Sequence, residues 1–309
     1  MKLLKINTSV LFLFTTLLLV PSLLYAKAED KITETYKMDR DGKVYLENVS
    51  GNIVVKSWNK NEIEIIATKV ARNNDDLENV SVDITHTDDN VRITTRHLRT
   101  RNWFGSYSGA SVHYSLRIPD KARLRVKSVS GDIELHHIGG ALDAGSTSGK
   151  IEIMTAEDGV KAGTVSGEIY MENITGRADI KSTSGEIKVK GGKGSIEANV
   201  VSGDIELTDV SLAEEIEASS ISGDIDLECE FLPGGDYEFH TISGEVNIKL
   251  PGNSDFDLRT KTMSGGIDCD FEIRISGKIE RKKLQGTVGK GGASLEISTL
   301  SGDINLEKK

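Results

Sequence analysis

A short phrase built on Ser-Gly returns again and again along this chain, and it restricts the fold more than any other feature. It reads VSGDIEL from Val129, TSGKIEI from Thr147, VSGEIYM from Val165, TSGEIKV from Thr183 and VSGDIEL from Val201. It continues as ISGDIDL from Ile221, ISGEVNI from Ile242, MSGGIDC from Met263 and LSGDINL from Leu300, with an isolated early copy, VSGNIVV, at Val49. Ser130, Ser148, Ser166, Ser184 and Ser202 lie 18 residues apart; steps of 20, 21 and 21 lead to Ser222, Ser243 and Ser264, and a step of 37 to Ser301. A fixed period of this length is the mark of one small unit stacked on copies of itself.

Each unit reads as two strands and two turns. Apolar residues alternate after Ser-Gly (Ile133 and Leu135, Ile151 and Ile153, Ile205 and Leu207) and before it (Leu124 and Val126, Ile196 and Ala198, Leu295 and Ile297). Period two means a strand with one buried face. Glycines at 139–140, 159, 176 and 191–192 mark the other corner, and Pro233 and Pro251 stand beside later ones. Eighteen residues make a path of about 60 Å, enough for one closed turn of a narrow coil. The expected fold is all-β: a single-stranded parallel β-helix, or β-solenoid, of 18–21 residues per rung. Equivalent residues would stack about 4.8 Å apart, and isoleucines would form a buried ladder worth about 1.5–3 kcal/mol per side chain.

The Ser-Gly corner reads as structural, since glycine reaches backbone angles closed to other residues and serine bonds nearby backbone. A nucleophilic serine would need a positioned base, and histidine is missing near most copies. Cys229 and Cys269 fall on the inward parity, two rungs apart and beyond disulfide reach, so two free buried thiols are expected. Three divisions follow: 1–28 as a signal peptide, 29–125 as an N-terminal β-rich region with a first rung and a β cap or lateral sheet, and 126–309 as solenoid repeats. The cap is expected over residues 60–120, because a stack of strands has open ends that must be covered. The basic RISGKIERKKLQG segment from Arg274 reads as an inserted hairpin.

The first segment reads as an address. Lys2 and Lys5 precede an apolar run, and Ala26-Lys27-Ala28 offers small residues for cleavage after Ala28 or Ala26. The alternative is a retained anchor. Cleavage after Ala28 moves the formal charge from −10 to −13. So acidic a chain is no general nucleic-acid binder, and two cysteines make neither a disulfide scaffold nor a four-thiolate zinc site. No apolar run of spanning length follows the signal, so an exported protein (periplasm, cell surface or extracellular) is expected.

The ladder of T/V-S-G-D/E-I-x-L units, the strand YSLRIPDKARL and the closing GKGGASLEISTLSGDINL resemble a bacterial domain-of-unknown-function family described as putative adhesins. The resemblance covers roughly residues 40–309. It implies an exported or membrane-attached β-solenoid and carries over no catalytic residue. The chain departs from the pattern in its enlarged units after Ser202 and its late insertion.

Two surface features are candidates for function. Outward acids after Ser-Gly, among them Asp132, Glu152, Asp204, Asp224 and Asp303, would stack into an acidic stripe, read either as a solvated face or as a calcium row. The stretch from Val91 to Ile118 holds five arginines and no acid, and within it Arg99, Arg101, Trp103, Phe104 and Tyr107 form the candidate partner-binding loop. The other reading of that loop is a cap whose aromatics fold onto the end of the stack. None of the six histidines has metal-site spacing, and Gly289-Lys290-Gly291-Gly292 reads as turn chemistry, so no metal, cofactor or catalytic residue is expected. The expected role is a non-enzymatic adhesin, cell-envelope scaffold or binding protein with an envelope glycan or a protein as partner. The alternatives are a β-helix enzyme acting on polysaccharide, which needs acids and bases converging in a groove, and a self-assembling envelope filament.

Overall fold

The computed structural model describes residues 27–98, 109–275 and 282–309. The signal segment, but for its last residues, lies outside them. Among the described residues the chain is all-β, with 26 strands joined in one continuous sheet and one short helix at Asn74–Glu78.

Each Ser-Gly unit gives one strand to each of two parallel ladders. In the first ladder Leu124, Leu142, Val160, Ala178 and Ile196 are partners in series. In the second, Ile133, Ile151, Ile169, Ile187, Ile205, Ile225, Val246 and Ile304 follow one another. Neighbouring units therefore pair residue for equivalent residue, as the 18-residue step requires. Both columns are buried, none of their members being more than 4% exposed. The alternation in the sequence is this burial pattern: one parity fills the space between the ladders, the other faces out.

The two corners are built differently. At the Ser-Gly corner, the N–H of each glycine donates to the serine carbonyl of the next unit, as from Gly185 to Ser202 at 3.1 Å. Gly185 has φ +138, and a Cβ there would stand 2.1 Å from the carbonyl oxygen of Gly167. Neither the angle nor the space admits a side chain. The opposite corner uses a left-handed residue at each step: His137 (φ 57), Thr155 (φ 71), Asn173 (φ 56), Gly191 (φ 71) and Asp209 (φ 57).

The longer units after Ser202 enclose larger side chains. Tyr237 and Phe239 stand fully buried where earlier units place Ala, Val, Leu or Ile, and Phe256 is fully buried beside them. Phe231 stacks on Tyr237 with ring centroids 4.0 Å apart, and the Tyr237 hydroxyl donates to the Ala213 carbonyl at 3.0 Å.

At both ends the units do not stack in chain order. Lys43–Ser50 lies between Asn90–His97 and Arg123–Ser130, and Ile53–Trp58 lies between Ser111–Pro119 and Ile133–Ile138. At the other end Ala293–Ser301 inserts between Asp236–Ser243 and Phe256–Ser264, and Ile304–Lys308 between Val246–Leu250 and Ile267–Cys269. The outermost strands carry antiparallel covers. Val80–Thr87 pairs with Asn90–His97, Glu62–Ala71 with Ser111–Pro119, and Ala28–Lys37 with Glu62–Ala71. Lys283–Val288 covers Phe256–Ser264, and Ile273–Arg274 pairs with it in turn. These covers occupy edges that would otherwise recruit foreign strands.

The insertion corrects the expected position of the cysteines. Three steps separate their units, not two, because Ile304–Lys308 intervenes. Both thiols are free; Cys229 is buried, but Cys269 is half-buried, because its strand is the last of its ladder.

Candidate binding surface

The residue just before each Ser-Gly has outward parity, yet it is Val, Thr, Ile, Leu or Met in every copy. The register places these side chains in one row along the Ser-Gly edge. Its later part runs Thr183, Val201, Ile221, Ile242, Leu300 and Met263 in spatial order. Val201 is 46% exposed, Ile221, Ile242 and Leu300 are 47%, and Met263 is 60%. Five consecutive positions about 4.8 Å apart thus carry large aliphatic side chains in water. Singly exposed aliphatics are ordinary, but a contiguous run marks an interaction surface.

Beside this ridge, on the outer face of the first ladder, lies a shallow groove of about 670 Å³. Val201, Ile221 and Ile242 wall it, Asn199, Ser219, His240 and Ser298 form a polar floor, and Lys181, paired with Asp179 at 3.0 Å and Glu197 at 3.5 Å, lines its Thr183 end. His240 Nδ1 and Ser298 Oγ are hydrogen-bonded at 2.7 Å. Thr164 and Ser182 also line the groove; their hydroxyls are buried and have no hydrogen-bond partner among the described residues. Their counterparts in later units do have one: Thr241 donates to the Gly223 carbonyl at 3.2 Å, and Ser220 to that of Gly203 at 3.4 Å.

Acids flank both. Glu197, Glu217, Glu238 and Glu296 form a row two positions beyond the groove floor. Glu197 is held by Arg177 at 2.6 Å, and Glu296 by Arg259 at 3.1 Å. Across the ridge stand Asp204, Asp224, Glu245 and Asp303, the acids that follow Ser-Gly. The aspartates here have a structural task. Asp132, Asp204, Asp224 and Asp303 each accept, through Oδ1, the backbone N–H of the equivalent residue one unit on, at 2.6–2.9 Å. Among the described residues Glu168, Glu186 and Glu245, one methylene longer, make no such bond. Elsewhere the stripe is interrupted by cations. Lys150 meets Glu152 at 2.7 Å, and Lys188 bridges Glu186 and Glu206 at 2.9 and 3.1 Å, which holds its ammonium well above the ordinary lysine range. Among the described residues no group of three or more His, Cys, Asp or Glu converges as a metal-ligand set.

The loop candidates Arg99, Arg101, Trp103, Phe104 and Tyr107 lie outside the described residues. The chain leaves these at Leu98, an exposed residue, and re-enters them at Gly109. Sequence reasoning passed over the aliphatic ridge because it counted inward positions only. The signal was available, since an outward position that is aliphatic in nearly every copy breaks the alternation.

A family model, Toastrack DUF4097, matches residues 42–231 and 233–307. The chain belongs to the Toastrack DUF4097 family. No curated protein matches it. Among solved structures, it is similar to a putative adhesin from Bacteroides fragilis NCTC 9343 at 15% identity and TM-score 0.46, covering 90% of this chain and 97% of that one. It is also similar to a putative lipid binding protein from Parabacteroides distasonis ATCC 8503 at 13% identity and TM-score 0.44, with the same 90% and 97% coverage. A putative cell adhesion protein from Clostridium sporogenes ATCC 15579 shares 11% identity over 91% of this chain and 100% of that one, at TM-score 0.25. The matched residues include every Ser-Gly unit from Val49 to Leu300. Among the described residues no helix is long and apolar enough to cross a membrane.

Proposed function

We propose that this Toastrack protein is an exported, non-enzymatic β-solenoid that binds a partner in the cell envelope along its Ser-Gly edge. The two parallel ladders wind as one coil of 18–21 residues per turn, which gives a stiff surface of repeating side chains. The observation that carries this reading is the unbroken exposed row Val201, Ile221, Ile242, Leu300 and Met263. A scaffold that only kept itself soluble would place charge or Thr there, as Thr147 and Thr183 do. The absence of catalysis is read from the outward polar residues, which repeat unit by unit instead of converging as acid, base and anion-stabilising groups. The sequence candidates Arg99, Arg101, Trp103, Phe104 and Tyr107 are proposed as a further partner-binding set.

Crosslinking capture from intact envelope tests this. The Ile221→Ser/Ile242→Ser and Trp103→Ala/Phe104→Ala variants are each expected to lose capture while keeping the wild-type melting point. Capture unchanged in both variants would refute the reading, and so would turnover of uronate polymers by the wild type.

A further inference from the structure

We propose that the ridge and its groove receive a cationic amphipathic α-helix of another polypeptide. This rests on the reading of the Ser-Gly edge as a binding surface and adds the chemistry of the partner. Three observations select it.

The first is charge. Glu217, Glu238 and Glu296 bound the groove on one side, and Asp204, Asp224, Glu245 and Asp303 stand across the ridge on the other. An apolar row between two acidic rows matches an apolar stripe between two basic ones. The same acids disfavour the competing occupants. A second copy docked ridge to ridge would set like charges against each other, and an anionic lipid surface would meet Glu217, Glu238, Asp204 and Asp224 along the middle of the edge.

The second is period. The ridge repeats about every 4.8 Å. A β-strand laid along it would present same-face side chains about every 6.7 Å and fall out of step at once. A helix presents its stripe with a pitch of about 5.4 Å, so the mismatch is about 0.6 Å per step and about 2.4 Å over the four steps from Val201 to Met263. Flexible side chains absorb that.

The third is width. The glutamate row lies four residues from the ridge, about 13 Å along the strand, and the aspartate row lies three residues on the other side, round the Ser-Gly corner. A helix about 10–12 Å across fits between them, and lysine stems reach outward to either row. The groove floor adds hydrogen-bonding capacity at Asn199, Ser219, His240 and Ser298; its lining cation, Lys181, is paired with Asp179 and Glu197 at the end where the unpartnered hydroxyls of Thr164 and Ser182 lie.

The test uses the full mature chain and three synthetic peptides. One carries Leu at i, i+3, i+4 and i+7 with Lys elsewhere; one has the same composition with strict Leu–Lys alternation; one has Glu in place of every Lys. Titration and circular dichroism read affinity and helix content. The helical-period Lys peptide is expected to bind, to gain helicity on binding, and to weaken with salt. The other two are expected to bind about tenfold or more weakly. Ile221→Ser/Ile242→Ser is expected to cost about tenfold, as loss of central apolar anchors does, and Glu217→Gln/Glu238→Gln to flatten the salt dependence. Equal binding of the alternating peptide overturns the proposal, as does an unaffected Ile221→Ser/Ile242→Ser variant. So does a dimer that this variant dissolves, or binding to anionic vesicles in place of the peptide. If the serine variant loses envelope capture but no helical peptide binds, the edge is a binding surface and the helix inference alone fails; if capture is also unaffected, both fail.

Discussion

Replacing Gly185 with Ala probes the stacking of the Ser-Gly corners most sharply. The added Cβ would stand 2.1 Å from the Gly167 carbonyl oxygen and 2.7 Å from its carbon, where ordinary contact begins at 3.4 Å. That carbonyl belongs to a backbone held on both sides by neighbouring units, so it cannot yield without breaking ladder bonds. A side chain at φ +138 adds backbone strain. Left-handed geometry costs about 1–2 kcal/mol and forced overlap about 1–3, so a loss of about 2–5 kcal/mol is expected. At about 2–4 °C per kcal/mol the thermal midpoint should fall by about 4–20 °C. Gly163 supplies the control. It lies on an outward strand position, and a Cβ there meets nothing nearer than the Lys181 carbonyl oxygen at 3.8 Å. Gly163→Ala should leave the midpoint unchanged or raise it, by about 0.5–1 kcal/mol of reduced unfolded-state freedom. Differential scanning calorimetry of the two variants decides the matter. A Gly185→Ala protein within about 0.5 kcal/mol of wild type would refute the reasoning, since surface substitutions commonly fall in that range. An equal loss at Gly163 would refute it as well.

Glu168→Asp should gain about 0.5–1.5 kcal/mol by capping the Glu186 N–H, and Asp224→Glu should lose a similar amount with its 2.7 Å bond to the Glu245 N–H; urea midpoints moving in the same direction would contradict this. Burial pushes the Cys229 thiol up to about 12, so a thiol reagent at neutral pH should label half-buried Cys269 first and reach Cys229 only on unfolding. Asp120, bonded by Arg40 at 2.6 Å, has its carboxyl held below the ordinary value of 3.8. Its contribution is therefore complete above that value and is lost as pH falls through the depressed one, so the stability difference between wild type and Arg40→Ala should be present at neutral pH and vanish in strong acid.

The stacking was legible in the sequence because each unit repeats both parity and length; Ile133, Ile151, Ile169 and Ile187 could be read as a column before any coordinate. The structural role of Ser-Gly was legible too, although the close approach of Gly185 to the Gly167 carbonyl was not, because local pattern carries no distance between units. The order of the last two units was hidden. Ala293–Ser301 resembles its neighbours closely enough to pair with either, and only the 37-residue step and the hairpin around Arg274 hint that the chain doubles back. The short aspartate in Ser-Gly-Asp looked like surface charge; its backbone bond to the next unit depends on a side-chain length that composition does not weigh. The aliphatic ridge was missed because only the inward parity was followed from unit to unit, while the outward residue before Ser-Gly was not.

Spin-label distances along the ridge test the in-register stacking most directly. With Cys229 and Cys269 replaced by Ala, one label is fixed at Val165 and the second is moved in turn to Val201, Ile242, Leu300 and Met263. Two, four, five and six steps should separate these positions from Val165, which gives about 10, 19, 24 and 29 Å. Met263 should thus lie farther from Val165 than Leu300 does, although it comes earlier in the chain. Distances that fail to grow with step number, or a Met263 nearer than Leu300, would contradict the account.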